Sequence, residues 1–308
     1  MDNKILTIGI PTYNRAKYLD KCLALLFEEF LNYQQYIDIH VSDNCSTDGT
    51  EKVIKKYKEA GYDFTYTKQT SNVGMDGNFG FLYEISSTKY FWLLGDDDWI
   101  VEGTIKKILD ILQKDIVGLL YLNNYWYEED LPSNISISDT ANLTVYNNGH
   151  EFISRITYWV TFLSAFIVNK DLVKNKINIK EYDNTLFTQL SWVITAIYSG
   201  SEIVVLENFA LLCKGSNSGG YKVFKVFGNN LNKVMDILIR QKLADKRMKH
   251  LINVALLKSF FPMFLSSSNF NSENYLKSLL PNFWYYPLFW KKYVLVELKK
   301  MAFSSKKL

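Results

Sequence analysis

The chain of 308 residues reads as an α/β fold, a mostly parallel sheet with helices on both faces, followed by a helical C-terminal region. Three observations carry this expectation. Over residues 1–125, short β-rich apolar runs alternate with segments of helical apolar spacing. The connections between them are too short for much besides parallel crossovers. Beyond residue 221 the strand-like runs stop and helical spacing continues.

Each element has its own warrant. Lys4–Ile10 is a β-rich run stopped by Pro11. Arg15–Phe30 places Leu19, Cys22, Leu23, Leu26, Phe27 and Phe30 on one helical face. Ile37–Val41 is a second strand. Ser46-Thr47-Asp48 offers cap chemistry for a helix from about residue 48 to Ala60, with Gly61 at its C-terminal end. Phe64–Lys68 alternates as a third strand, Gly77–Ser86 is helical, and Tyr90–Leu94 is the fourth strand. Thr104–Gln113 is helical and Ile116–Leu122 is the fifth strand. From Trp126 to Asn148 the pattern breaks into polar sequence with β-like pieces such as Ile135–Ile137. Gly149–Ile156 (helix), Phe162–Val168 (strand), Leu186–Tyr198 (helix) and Ile203–Glu207 (strand) follow. Lys214–Tyr221 is a loop. Asn229–Leu243, Arg247–Leu265 and Glu273–Leu280 complete the helical region.

Composition excludes several classes. At 48% hydrophobic and 22% charged residues the chain is too apolar for disorder. Cys22, Cys45 and Cys213 lack a CxxC spacing, which argues against a disulfide framework or structural zinc and for a reduced, cytoplasmic setting. No signal-peptide pattern or bilayer-length apolar segment is visible. The net charge of +3 gives no reason to expect nucleic acid as a partner. That average divides unevenly, however. Residues 1–220 carry a net charge of −9 and residues 221–308 one of +12.

In a parallel sheet, ligands bind beyond the carboxyl ends of the strands. There stand Pro11-Thr12-Tyr13-Asn14-Arg15, Ser42 to Thr50 with Asp43 and Asn44, Asn72-Val73-Gly74 with Asn78, and Gly95-Asp96-Asp97-Asp98-Trp99. Three consecutive aspartates repel one another and raise each other's pKa unless a cation neutralises them. Mg²⁺ or Mn²⁺ would do so while holding a diphosphate. The alternative is an acidic loop capping the helix that begins near Glu102. A GxGxxG after the first strand is missing, which argues against a dinucleotide dehydrogenase, and GIPTYNR lacks the glycines of a nucleotidyltransferase phosphate loop.

IPTYNR, VSDNCSTDGT, NVG with the later Asn78, and WLLGDDDW, in this order, resemble the motifs of family 2 glycosyltransferases of the GT-A fold. The resemblance spans about residues 4–125. It implies a catalytic domain over 1–220, with 1–125 as the nucleotide-sugar half and 126–220 as the acceptor half, while the charge split and the aromatic tail set off residues 221–308 as a basic, aromatic-rich region. It implies an enzyme of bacterial surface-polysaccharide synthesis (lipopolysaccharide O-antigen or capsule) that transfers a sugar from a nucleoside-diphosphate sugar, by default a UDP-sugar. The anomeric centre would be inverted, and the acceptor would be a saccharide or lipid-linked saccharide. Asp43 would contact the base, flanked by Pro11, Thr12 and Tyr13. Asp98 would bind the metal with Asp96 nearer the ribose or sugar, or Asp97 would if the register shifts by one. Two departures stand out: Asn44-Cys45 replace the usual Asp-Gly, and Gly95 stands where many relatives have an aspartate. A catalytically silent nucleotide- or saccharide-binding protein on the same fold is the alternative.

The family's general base maps to Asp183, with Glu181 second, just before the Leu186–Tyr198 helix; a cap for that helix is the other reading. Lys214 and its loop would form either a lid over the diphosphate or an ordinary surface turn. His40, His150 and His250 form no ligand set. Trp92 belongs to the core, and Trp99 either stacks on a sugar or packs beneath the site. Residues 281–308 combine six Lys with seven crowded aromatics, which suits either an anionic membrane surface or a packing or dimer contact through the C-terminal helices. The expected location is the cytoplasm, peripherally on the inner face of the cytoplasmic membrane if that tail binds lipid.

Overall fold

A computed structural model describes residues 4–114, 116–127, 140–215, 222–265, 274–295 and 297–298. Strand β1 (Leu6–Thr12) is buried along its whole length and lies between β2 (Ile37–Asp43) and β4 (Tyr90–Leu93), with β3 (Thr65–Lys68) beyond β2; all four are parallel. Strands β5 (Asp98–Ile100), β6 (Val117–Tyr127), β7 (Leu143–Tyr146), β8 (Phe166–Asn169) and β9 (Glu202–Lys214) extend the sheet in the order β3-β2-β1-β4-β8-β6-β9-β5, with β7 also on β9. β8 is antiparallel to both neighbours, and β5 and β7 are antiparallel to β9. Among the described strands, the other six share one direction.

Helix α1 (Ala16–Phe30) buries the six residues that its spacing placed on one face. It joins α2 (Thr50–Glu59) and α4 (Thr104–Leu112) on one side of the sheet, around Ile8, Ile39 and Trp92. On the other side, α3 (Gly74–Ile85), α5 (Gly149–Ile156) and α6 (Gln189–Tyr198) pack around Phe91 and Leu93. Gly61, at φ +87°, ends α2 as expected.

Several boundaries differ from the sequence reading. β6 runs to Tyr127 and β9 to Lys214, forming one long parallel pair whose register shifts around Leu122–Asn124. Polar residues at that irregularity break the alternation on which a strand is read. The acidic run is not wholly a loop, because Asp98 opens β5. The segment read as a strand from Phe162 begins as a 3₁₀ turn, Leu163–Ala165. The piece at Ile135–Ile137 lies outside the described residues.

The C-terminal region is helical: α7 (Val223–Lys225), α8 (Leu231–Arg240), α9 (Lys246–Ala255), α10 (Phe261–Leu265), α11 (Tyr275–Phe283) and α12 (Pro287–Phe289). π-helical turns at Val226–Asn230 and Leu256–Phe260 join α7 to α8 and α9 to α10. A third, Trp290–Val294, follows α12. Phe224, Phe261, Phe283, Phe289 and Tyr293 share one buried core with Phe91 of the sheet. The aromatic tail is thus divided. Phe283, Phe289 and Tyr293 face inward, while Trp284, Tyr285 and Trp290 are 59%, 51% and 44% exposed. No helix among the described residues is long and apolar enough to cross a membrane.

Candidate active site

The loops after β1, β2 and β3 are stitched together by their own side chains. The Asn14 amide donates to Ser46 Oγ, and Asn14 Oδ1 accepts from the Thr47 amide, both at 2.8 Å. Asp48 accepts from the Ala16 amide on one oxygen and the Thr50 amide on the other. Asp43 is fully buried; one oxygen accepts from the Ser46 amide and the other from the Tyr66 hydroxyl at 2.9 Å. Asn44 donates to Asn72 Oδ1 and the Gly74 carbonyl while accepting from the Val73 amide. An aspartate could not make the two donations, which gives this departure from the family pattern a structural role. Asn78 exchanges bonds with Ser42. Pro11 and Thr12 are buried at the end of β1, whereas Tyr13 is 42% exposed beside them. Cys45 adopts φ +68°, the left-handed region that favours glycine, the residue usual at this position.

The acidic run sits beside this edge. Asp96 accepts from Thr12 Oγ1 at 2.7 Å and lies 3.4 Å from Arg15, whose other nitrogen meets Asp97 at 2.7 Å. Asp98 accepts a 2.5 Å bond from Ser164 Oγ, and that hydroxyl also receives the Gly95 amide at 2.9 Å. Ser164 is itself fixed, since Trp92 Nε1 donates to its carbonyl at 2.7 Å. A Cβ on Gly95 would stand 3.0 Å from Asp98 Oδ2, so the aspartate that many relatives carry there would require the neighbouring side chains to give by a few tenths of an ångström. Burial raises Asp96 to about 7 against the opposing pull of Arg15, with Asp97 adding to the rise. Burial, then the charge of Asp97, raises Asp98 to about 7.

No group of three or more His, Cys, Asp or Glu residues among those described is placed to cage a metal. Asp97 and Asp98, but not Asp96, line the adjoining cavity. One or two carboxylates completed by substrate phosphates is the arrangement that Mg²⁺ or Mn²⁺ accepts, and buried, mutually repelling carboxylates favour a cation. The donor set fits.

The cavity has a volume of about 350 Å³. Arg15, Asp97, Asp98 and Lys214 are the charged residues of its lining. Lys214 is the described start of the loop for which the sequence offers a lid or a surface turn, and residues 216–221 lie outside the described part. Trp126 and Trp159 flank the cavity with ring centroids 5.6 Å apart, and Trp126 also meets Phe162 at 5.2 Å. Phe227 and Phe260, both from π-helical turns, close another wall 4.3 Å apart. Spacing alone could not distinguish these aromatics from core.

Glu181 and Asp183 stand apart from this lining. Glu181 accepts from Gln241 and borders a separate surface depression with Lys233 and Arg240. Asp183 is exposed after a 3₁₀ turn, five residues before the Thr188 cap of α6, so it does not cap that helix. The helix instead presents Gln189 to the cavity. Asp76, which no motif singled out, is buried and accepts from the Leu186 and Thr188 amides. Trp99 packs on Tyr127 and is not part of the lining, and Trp92 is core. His40 bonds Thr67, His150 bonds Asp245 and His250 stacks on Tyr286.

The sequence model of Glycosyl transferase family 2 matches residues 7–174, more than half of the chain and the whole of the edge just described. The chain belongs to glycosyl transferase family 2. Among related proteins, abequosyltransferase RfbV of Salmonella typhimurium is 24% identical over 281 residues, which cover 83% of this chain and 78% of that one. Glycosyltransferase GlyA of Streptococcus pneumoniae is 31% identical over 129 residues, 40% of this chain and 18% of its own length. Among solved structures, S. aureus TarS residues 1–349 in complex with UDP superposes with a TM-score of 0.63 at 17% identity, covering 89% of this chain and 79% of that one. The mannosyltransferase PcManGT from Pyrobaculum calidifontis, in complex with GDP-Man and Mn²⁺, gives 0.57 at 14% identity, covering 92% and 81%. This glycosyltransferase therefore has the GT-A fold that its motifs implied. Its acidic corner lies beyond the carboxyl ends of the parallel strands, where such folds bind ligands.

Proposed function

We propose that this glycosyltransferase moves a sugar from a nucleoside-diphosphate sugar, by default a UDP-sugar, to a saccharide or lipid-linked saccharide of a bacterial surface polysaccharide such as O-antigen or capsule. The observation that carries the reading is the pairing of Asp97 and Asp98 with Arg15 and Lys214 in the lining of one cavity. Two carboxylates can share a divalent cation with a diphosphate, and two cations can meet the remaining phosphate charge. Such a metal, when bound, stabilises the charge that develops on the leaving diphosphate. Pro11, Thr12, Tyr13, Asn14, Asp43, Asn44, Asn72, Gly74 and Asn78 shape the nucleotide side, with exposed Tyr13 available to the base. Asp96, tied to Thr12, holds the ribose side of the corner.

Inversion needs a base opposite the leaving group. Asp183, exposed three residues before the cavity residue Leu186, takes that role in this reading, and Glu181, engaged with Gln241, is second. The naming of a relative as an abequosyltransferase supports the surface-polysaccharide setting. Exposed Trp284, Tyr285 and Trp290 beside Lys291 and Lys292 support docking on an anionic membrane face, where a lipid-linked acceptor would lie. The same surface would otherwise serve pairing of two copies.

Thermal stabilisation by a panel of nucleotide sugars and nucleoside diphosphates, with and without Mn²⁺, tests the reading. A ligand bound only by the folded state raises the melting temperature according to its concentration over Kd. One nucleotide class should stabilise, and more strongly with Mn²⁺. A flat response across the panel would sink the proposal. Asp183→Asn should lower kcat about a hundredfold or more.

A further inference from the structure

Beyond its charged residues the cavity is lined mostly by carbon, and Tyr158, Thr161, Trp126, Trp159 and Gln189 are the lining residues whose side chains carry a polar hydrogen-bonding group. Phe79, Leu186, Phe187, Val226 and Phe227 present carbon to it. Among these walls stands Gln189, 5% exposed, whose Oε1 is buried with no partner among the described residues. Its Nε2 reaches the Thr161 carbonyl at only 3.4 Å. A buried acceptor left open is costly and points to a ligand that supplies the missing donor.

The apolar wall is also held in place against strain. Leu186 adopts φ +61°, a left-handed conformation that a branched aliphatic residue rarely takes. It persists because Asp76 accepts from its amide at 2.8 Å and from Thr188 at 3.0 Å. Strain kept by a dedicated buried carboxylate belongs to functional walls more often than to passive packing. Phe227 and Val226 reach the cavity from a π-helical turn, another local irregularity that re-aims side chains.

We infer that the cavity selects a deoxygenated sugar, a 6-deoxy- or dideoxyhexosyl group, as the donor's glycosyl unit. The inference rests on the donor reading above. The diphosphate lies at the charged residues of the lining, so the glycosyl group it carries occupies the adjoining volume. Gln189 Oε1 accepts a hydrogen bond from one of the remaining hydroxyls. The carbon walls meet the position at which an ordinary hexose bears an extra hydroxyl, and that hydroxyl would be buried without a partner.

Calorimetric titration of the full chain in Mn²⁺ with matched donors separates the outcomes. The pairs are GDP-mannose with GDP-rhamnose, UDP-N-acetylglucosamine with UDP-N-acetylquinovosamine, dTDP-glucose with dTDP-6-deoxyglucose, and CDP-glucose with CDP-3,6-dideoxyglucose. UDP, GDP, dTDP and CDP alone report the nucleotide side. Within the pair whose nucleotide binds, the deoxy member should bind roughly ten- to a hundredfold more tightly. Leu186→Asn tolerates the left-handed conformation and places an amide on the wall, so it should narrow that ratio several-fold without changing nucleoside-diphosphate affinity. Equal binding within the pair, tighter binding of the hydroxylated member, or a ratio unmoved by Leu186→Asn overturns the inference while leaving the donor reading intact. Binding of no nucleoside diphosphate and no nucleotide sugar overturns both.

Discussion

On the strand-end side of the cavity, Asn14, Asp43, Asn44 and Asp48 use their polar groups on neighbouring loop residues such as Ser46, Val73 and Ala16, and Thr12, Arg15 and Ser164 hold the aspartates. Across the cavity, the side chains of Trp126, Trp159, Phe227 and Phe260 meet one another through ring contacts, Trp126 on Trp159 and Phe227 on Phe260. Directional bonds fix positions and tolerate few substitutes, whereas apolar packing fixes volume and accepts many. The difference fits a division of work in which the corner serves the chemistry common to a family and the wall serves the choice of sugar.

Substitutions on the two sides should therefore fail differently. Asp98→Asn removes a cavity carboxylate and should lower kcat/KM about a thousandfold, read as the initial rate of nucleoside diphosphate release in the presence of acceptor. An aromatic substitution that matched this loss would erase the distinction. Ser164→Ala leaves the carboxylate but frees it from its 2.5 Å bond. Dependence on Mn²⁺ should then weaken about ten- to a hundredfold in half-saturating concentration, and saturating Mn²⁺ should restore much of the rate. An unchanged Mn²⁺ curve would show that Ser164 merely packs. Trp159→Ala should raise the KM for a saccharide about fivefold, the cost of roughly 1 kcal/mol of lost stacking, with kcat nearly unchanged. A fall in kcat instead would place the tryptophan on the chemical side. The smallest effect belongs to Cys45→Gly, which relieves φ +68°. A gain of about 1 kcal/mol, or roughly 2 °C in melting temperature, is expected, with turnover unaffected.

The same contrast explains what could be read from the sequence. Proline, asparagine, aspartate and glycine at strand ends are uncommon enough that Pro11–Arg15, Ser42–Thr50 and Asp96–Asp98 identified both the sheet edge and its family. The face of α1 was legible residue by residue, because its six apolar positions follow the helical period. Trp126, Phe227 and Phe260 were not, since an aromatic facing a cavity and one facing the core carry the same local signal. Ser164 is a lone serine in an apolar run and becomes visible only when β8 brings its approach beside β4. Asp76 and Gln189 depend on contacts more than twenty residues away in sequence. The start of α6 was misplaced because the left-handed backbone at Asn184 and Leu186 delays a helix that side-chain spacing alone would begin earlier.

The π-helical turns carry an evolutionary consequence. Each is an α-helix with one residue too many, and each successive residue turns an α-helix by about 100°. Deleting one residue within Val226–Asn230 would restore the regular helix and swing a different side chain toward the cavity, while the aspartate corner, built from other elements, stayed where it is. A lineage could thus reshape this wall of the cavity by single-codon insertions and deletions in its C-terminal helices, without passing through a form in which the aspartate corner was disturbed.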